Sequence, residues 1–584
     1  MAVLRSDQAQ LTFGSEAAPG GYAMNFPSAG LSGGEHGILA GAVNAGDTKI
    51  IVTLGSGSSA FAINDDVRIG PTVNAAVATD AEAEVRRVVY VEGTTLFLDA
   101  PLAFYHISQT DVDKCSGTLV TNAADITIDQ VPGVYDTVDV PDMAPTFEPR
   151  YFLGTQSKRN FFTVLKGQQA FTGSVGGFVL LNGKALRYPF GKSVTQVSTG
   201  TPAAGTAIVA AGAKKGDIFI TVSDATTNAL NAGQIIGIDV GTATPPNTGA
   251  IVGTNAARVY PDVGEVRTVV SKTGNIVRLD YPLSFDHIGG LTTGTASTQQ
   301  VSKIAASGIV YTHHIFETVD LDTVSWHVHM RDSSETAAND FDRTYFGGLI
   351  GSASIAADEG GMLNMSWDGV NFLGMKHNQL AGDRITSANV TPHAGLMHKI
   401  TSTDVDFPTS NPYFFSQGSV KLFGVEVARV RNFNLTVANG EEPRYYIQRR
   451  HGEGRGPTEI REQRREYSMA VTLALPDTQA STATATTLFK EFMSEADYGG
   501  DGIRGFNIEL VFARTATDKI TIRIPDDYDG SAEGGGAATG GNEIGAILRS
   551  ASHSITGDNP VQVDADILFR NLKIEVMDAI GYYP

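Results

Sequence analysis

The chain has 584 residues, 42% hydrophobic and 18% charged, a globular composition and more chain than one hydrophobic core organises. Asp and Glu number 63 against 43 Lys and Arg, a formal charge of −20, so the surface as a whole repels phosphate backbones instead of holding them. Cys115 is the single cysteine, which excludes an intrachain disulfide framework; Met1–Pro19 lacks the pattern of a secretory signal, and no stretch has the apolar length of a membrane span.

Short Val/Ile/Thr/Phe runs punctuated by Gly, Asn, Asp and Pro predict a mainly β protein from end to end. Residues 1–37 read as an N-terminal arm, 38–112 as a β module, 113–204 as a bridge, 205–295 as a second β module and 296–584 as a long closing block. The modules are copies. EVRRVVYVEGTTLFLDAPLAFYHI at 84–107 and EVRTVVSKTGNIVRLDYPLSFDHI at 265–288 align without a gap at an offset of 181. Glu84, Arg86, Leu98, Asp99, Pro101, Phe104 and His106 match Glu265, Arg267, Leu279, Asp280, Pro282, Phe285 and His287. Upstream, Gly46-Asp47 before Ile50 and Val52 answers Gly216-Asp217 before Ile220 and Val222. A duplication of this kind changes the domain count, and its strand–turn alternation predicts a small antiparallel barrel or sandwich. His106 and His287 read as strand-end packing histidines, with no further His, Cys or carboxylate gathered around either.

In the bridge, residues 170–191 alternate through Phe171, Gly173, Val175 and Gly177, and Phe161, Phe162, Val164 and Leu165 just before them form a short packing face. Residues 305–372 read as paired strands, GIVYTHHIFETV, TVSWHVHMRD and then two strands joined by a tight turn at Asp358-Glu359-Gly360-Gly361. His327 and His329 share one strand face, with His313-His314 on the preceding strand. That spacing suits a metal, but no carboxylate or thiol pattern completes a set, so no metal is expected. Further on come VRNFNLTVANGEEPRYYIQ, REYSMAVTLAL, an amphipathic helix carried by Leu488, Phe489, Phe492 and Met493, a hairpin of IRGFNIELVFAR and KITIRIPD, and a closing VQVDADILFRNLKIEVMDA.

Residues 441–466 hold seven arginines and six glutamates in a stretch broken by Gly and Pro. The acids nearly cancel the bases, which suits nucleic acid poorly. Arginine forks pair with carboxylates across interfaces, so Arg449, Arg450, Arg461, Arg464 and Arg465 are candidate subunit contacts; a solvated, salt-laced loop is the alternative. The glycine-rich run at 529–543 lacks the Lys-Ser/Thr of a phosphate loop and reads as a hairpin tip. No nucleophile elbow, HExxH or kinase motif is present, so neither catalytic residues nor cofactors are expected, and the chain reads as no enzyme.

The order of Leu11-Thr12-Phe13-Gly14-Ser15-Glu16, FTGSVGGFVLLNGKALRYPFG, YFGGLIGSASIAADEGG and VRNFNLTVANGEEPRYYIQ before REYSMAVTLAL resembles the tail tube proteins of long-tailed phages. The resemblance implies an antiparallel β-sandwich or barrel core with a flanking helix, to which the two modules are additions. It implies a self-assembling structural subunit in stacked rings around a DNA channel, beside sheath, initiator and terminator proteins. DNA would pass without specific binding, no membrane would be involved, and the protein would reside in the virion tail after assembly in the host cytoplasm. The closing block is long enough for two tube units, so the rings would be hexameric, or trimeric and pseudo-hexameric. The rival reading is a baseplate, tail-tip or receptor-binding protein with carbohydrate-binding modules.

Overall fold

A computed structural model describes the chain outside 1–3, 17–30, 59, 64, 71–83, 99–100, 103, 116–129, 142–144, 151–162, 200–205, 209–211, 224–229, 241–263, 288–299, 305–307, 319, 333–340, 378–409, 423–424, 427–429, 447–455, 475–505, 527–544, 555–561, 582 and 584. The predicted helix at Leu488–Met493 and the glycine-rich run at 529–543 fall outside these residues. The described chain is mainly antiparallel β; its one α-helix is the single turn Arg187–Phe190, directly after the 3-10 turn Lys184–Leu186.

Two sheets face each other across the main core. The larger has eleven strands, the smaller seven. Alternation along the larger sheet makes this possible: in Val430–Ala438, Phe433, Leu435 and Val437 are buried between exposed or half-buried neighbours. Both tryptophans, Trp326 and Trp367, lie fully buried between the sheets. Phe13 and Phe178 each meet Trp367 edge-on at 5.4 Å, a geometry that suits the ring quadrupoles. The N-terminal strand Leu4–Ser15 contributes Leu11 and Phe13 to this core and pairs with Val324–Asp332.

The expected turn at Asp358–Gly361 is present. Phe341–Asp358 pairs with Asn364–Asn371, the Gly361 amide donates to the Asp358 carbonyl at 2.8 Å, and Gly360 takes φ 78°, where glycine escapes the Cβ clash. The expected hairpin of Ile508–Thr515 with Asp518–Ile524 is present too. The pairing of GIVYTHHIFETV with TVSWHVHMRD is corrected. Val310–Phe316 lies in the seven-stranded sheet between Lys192–Thr199 and Lys573–Asp578, whereas Val324–Asp332 lies in the eleven-stranded one. Val310–Phe316 is buried on both faces, so its sequence carries no alternation that would assign it to a sheet. Of the packing face expected from Phe161, Phe162, Val164 and Leu165, the first two lie outside the described residues and the other two are corrected. Among the described residues Thr163–Gln169 pairs only with Pro145–Arg150, and the side chains of Val164 and Leu165 are exposed.

The first copy of the repeat is a closed six-stranded barrel of Leu31–Leu39, Lys49–Leu54, Thr95–Leu98, Glu84–Glu92, Asp66–Ile69 and Asp111–Cys115. The second, from Thr206–Ala207 to Gln300–Lys303, has its six strands in the same cyclic order. Where the first closes by a ladder between Leu31–Leu39 and Lys49–Leu54, the second closes by the single bridge Ile208–Val222. Each has its own core: Ile50, Val52, Val88 and Leu98 in one, Ile220, Val222, Val269 and Leu279 in the other. Each folds its long hairpin over a two-residue loop that starts on a left-handed glycine, Gly93 at φ 61° and Gly274 at φ 59°. The second module sits between the paired strands Lys192–Thr199 and Val310–Phe316, and Lys215 ties it to the core through a 2.9 Å ion pair with Asp322.

Candidate functional site

The solvent face of the larger sheet is built from small polar side chains. Alternation puts Ser352, Ser354 and Ala356 on this face, with Ser366 and Asp368 opposite on one side and Asn434, Thr436 and Ala438 on the other. The same face continues through Ser468, Ala470 and Thr472 to Asp564 and Asp566, then to Ser550 and Ser552. Hydroxyls satisfy each other and the acids: Ser354 meets Ser366 at 2.8 Å, Ser366 donates to Asp368 at 3.1 Å, and Thr472 donates to Asp564 at 2.7 Å. Along the eight strands from Ala546–Ser554 to Thr137–Asp139, the described acids include Asp139, Asp358, Asp368, Glu466, Asp564 and Asp566. The described arginines of those strands are Arg343, half-buried and 3.4 Å from the Tyr345 hydroxyl, and the exposed Arg431 and Arg549, held by Glu359 at 3.1 Å and Asp566 at 2.6 Å. Among the described residues such a face offers a phosphate backbone few cations, the exposed ones already paired, and Leu568 is its one exposed large apolar side chain.

Two hairpins leave this sheet, each with no third strand among the described residues. Pro145–Arg150 with Thr163–Gln169 exposes Phe147 at 62%, Leu165 at 47% and Val164 at 39%. A lone hairpin is marginal in water, and exposed apolar residues on it favour cover by another surface. Glu442–Arg444 with Glu459–Arg461 is the arginine stretch. Its ion pairs are local: Arg444 with Glu442 at 2.7 Å and Arg461 with Glu459 at 2.5 Å. Tyr446 donates its hydroxyl to Glu459 at 2.8 Å, which with Arg461 holds that carboxyl below its usual range.

The structure separates the predicted arginines. Arg461 and Arg464 are exposed, at 64% and 87% of their side chains. Arg465 is 10% exposed and is taken up within the chain, donating to Asn439 at 2.8 Å and pairing with Glu317 at 3.3 Å. Arg449 and Arg450 lie outside the described residues. Beneath the hairpin, Glu441 has both carboxyl oxygens buried with no hydrogen-bond partner among the described residues. Burial and the neighbouring Glu462 push its pKa up to about 9, against the pull of Arg465.

The histidines sort with the core. His313 stacks on Tyr583 at 3.8 Å and bonds the Ile580 carbonyl at 2.7 Å. Burial and the Lys573 ammonium lower His314 to about 3, and its Nε2 meets Gln196 at 3.2 Å. His327 and His329 stack at 6.3 Å, both buried. Among the described residues no three His, Cys, Asp or Glu gather as a metal set.

The repeat histidines do have acidic neighbours, contrary to the sequence reading. His106 lies 3.0 Å from Glu84, which also pairs with Arg86; His287 lies 2.7 Å from Glu265, which pairs with Arg267. These were matched residues of the repeat, and their pairing as buried ions was the missed signal. A second carboxylate, Asp239, reaches His287 at 2.6 Å. Burial alone would lower His287, but Asp239 and Glu265 raise it to about 9. The clusters are closed ion networks inside barrels, not openings for a ligand.

Comparison with known proteins adds one match: a profile described as phage tail tube protein covers residues 165–569. No curated protein matches the chain.

Proposed function

Because the chain belongs to the phage tail tube protein family, a structural component of the virion tail, we propose that its copies close into rings and that the rings stack into the tube through which DNA leaves. The observation that carries this reading is the face of the larger sheet, small, hydroxyl-rich and acidic, with the exposed Arg431 and Arg549 each already paired to a carboxylate. A wall that must let DNA slide needs the absence of footholds: each phosphate held by a cation is a contact that a moving genome must break. Acidic residues keep the duplex away from the wall over a Debye length of about 8–10 Å. The exposed apolar hairpin at Phe147 and Leu165 supplies the contact between stacked rings, and the two barrels decorate the outside. The closing block that is long enough for two units makes a ring of three chains the preferred count. Electron microscopy of the purified chain tests the reading: it should form hollow tubes, and Phe147→Ser with Leu165→Ser should leave single rings or short stacks. A chain that stays monomeric under every assembly condition would end it.

A further inference from the structure

The eight-strand run of the larger sheet is a tandem. It reads Ala546–Ser554, Gln562–Phe569, Glu466–Ala474 and Val430–Ala438, followed by Phe341–Asp358, Asn364–Asn371, Thr172–Val179 and Thr137–Asp139. The second four repeat the first. Ser352 and Ala353 face Asp368 and Trp367 across one hairpin; Ser550 and Ala551 face Asp566 and Ala565 across the other, an offset of 198 on both strands. The match continues sideways. Trp367 pairs with Val175 and Val175 with Val138; Ala565 pairs with Val471 and Val471 with Phe433. Between its last two strands each unit sends out one of the two-stranded hairpins, and the first strand of both ends on the same tripeptide, Glu148-Pro149-Arg150 and Glu442-Pro443-Arg444.

Inside the chain the two units join where Ser352–Asp358 pairs with Asn432–Ala438. The same two kinds of edge recur at the ends of the run. Thr137–Asp139 corresponds to Asn432–Asn434 and Ala546–Ser554 to the last part of Phe341–Asp358, and in the described residues each end strand has a ladder on one side only. Open edges of a long sheet invite pairing. We infer that copies of this chain add head to tail, the Thr137–Asp139 edge of one pairing antiparallel with the Ala546–Ser554 edge of the next, so that the seam between chains repeats the seam within one. The repeat also sets the register. Asn434 faces Ala356 inside the chain, so Asp139 of one copy faces Ser554 of the next. A heterologous contact of this kind closes into a ring when its rotation permits, and every ring then contains twice as many tube units as chains.

This inference rests on the tube reading and can fail without it. Asp139→Cys and Ser554→Cys are combined with Cys115→Ser, and assembled rings are oxidised. The expected result is a ladder of chain multimers on a non-reducing gel, ending at the ring size and collapsed by reductant, with neither single cysteine giving it. A density map of the wild-type ring should show one unbroken inner sheet whose repeat is twice the number of chains. Rings that form yet give no ladder and show a gap in the sheet at each chain boundary would overturn the seam and leave the tube reading standing. Wild-type chain that never forms rings would overturn both.

Discussion

Asp239 holds His287 through a 2.6 Å ion pair, and at the equivalent position of the first barrel stands Gly70, which has no side chain to do the same. Both residues occupy the left-handed region, Gly70 at φ 66° and Asp239 at φ 54°. Asp tolerates that conformation better than most side chains. The duplicated barrels have thus diverged at a backbone position that only a few residue types fill, and the second has gained a charge there.

The consequence is a pH dependence of the second barrel. Its histidine is raised from an ordinary 6.5 to about 9. A raised base contributes its full stabilisation below 6.5 and loses it as pH climbs through 9. Asp239→Asn keeps the backbone conformation but removes the charge, so it should cost on the order of 1.5–3 kcal/mol at pH 6, the scale for a buried charged hydrogen bond. The loss should shrink by pH 9.5. Thermal unfolding of wild type and variant across that range checks it; a pH-independent difference would mean that the pair is not charged.

Adjacent arginines should behave oppositely. Arg464 is 87% exposed and 3.7 Å from Glu466, so Arg464→Ala should change stability by less than about 0.5 kcal/mol. Arg465→Ala removes a buried donor to Asn439 and should cost about 1–3 kcal/mol in the monomer. Assembly is the second readout. With Arg461→Ala added, the Arg464 variant should slow ring or tube formation while its melting curve stays that of wild type. Unimpaired tubes would remove this hairpin from the contact.

Glu441 supplies a pH effect of the other sign. A carboxyl raised from 4.5 to about 9 makes the fold lose stability as pH rises between those values, since the unfolded chain releases the proton first. Glu441→Gln should therefore match wild type near pH 5 and become progressively more stable than it toward pH 9. Melting temperatures at four or five pH values decide it.

Much of this was legible in the residues, and what was not has physical reasons. The barrels announced themselves because Glu84, Arg86 and His106 form one buried network, and a network cannot drift one member at a time. The turn at Asp358–Gly361 was legible because turn chemistry is local. The tandem of tube units was not. Its strands need only alternate small polar and apolar residues, which leaves Ser-Ala-Ser and Glu-Pro-Arg as the shared residues that stand out, and register became visible only from pairing. The opposite fates of Arg464 and Arg465 were hidden too, since both sit between strands where no period assigns a face.

The final prediction concerns the acidic face. If it lines a DNA channel, its useful property is that nothing on it binds phosphate, and that property is easily destroyed. Ser354 and Thr436 are directly opposite each other on neighbouring strands, half-buried on the solvent side. Ser354→Arg with Thr436→Arg places two cations where wild type has hydroxyls, repeated by every copy in every ring. The monomer should fold, because strand positions on the solvent side let a long side chain extend into water at a cost of about 1 kcal/mol. Tubes should still form, because neither residue lies at the proposed seam or on a projecting hairpin. Duplex DNA should then bind inside the variant tubes with an affinity that falls steeply as salt rises, since each added phosphate contact releases counterions. Phage carrying the variant should retain DNA in the tail after triggering, and more of it at low salt. Wild-type tubes should bind none of the same DNA. Equal, salt-insensitive behaviour of the two tubes would place this face away from the lumen, and DNA bound tightly by the wild type would contradict the proposed channel surface itself.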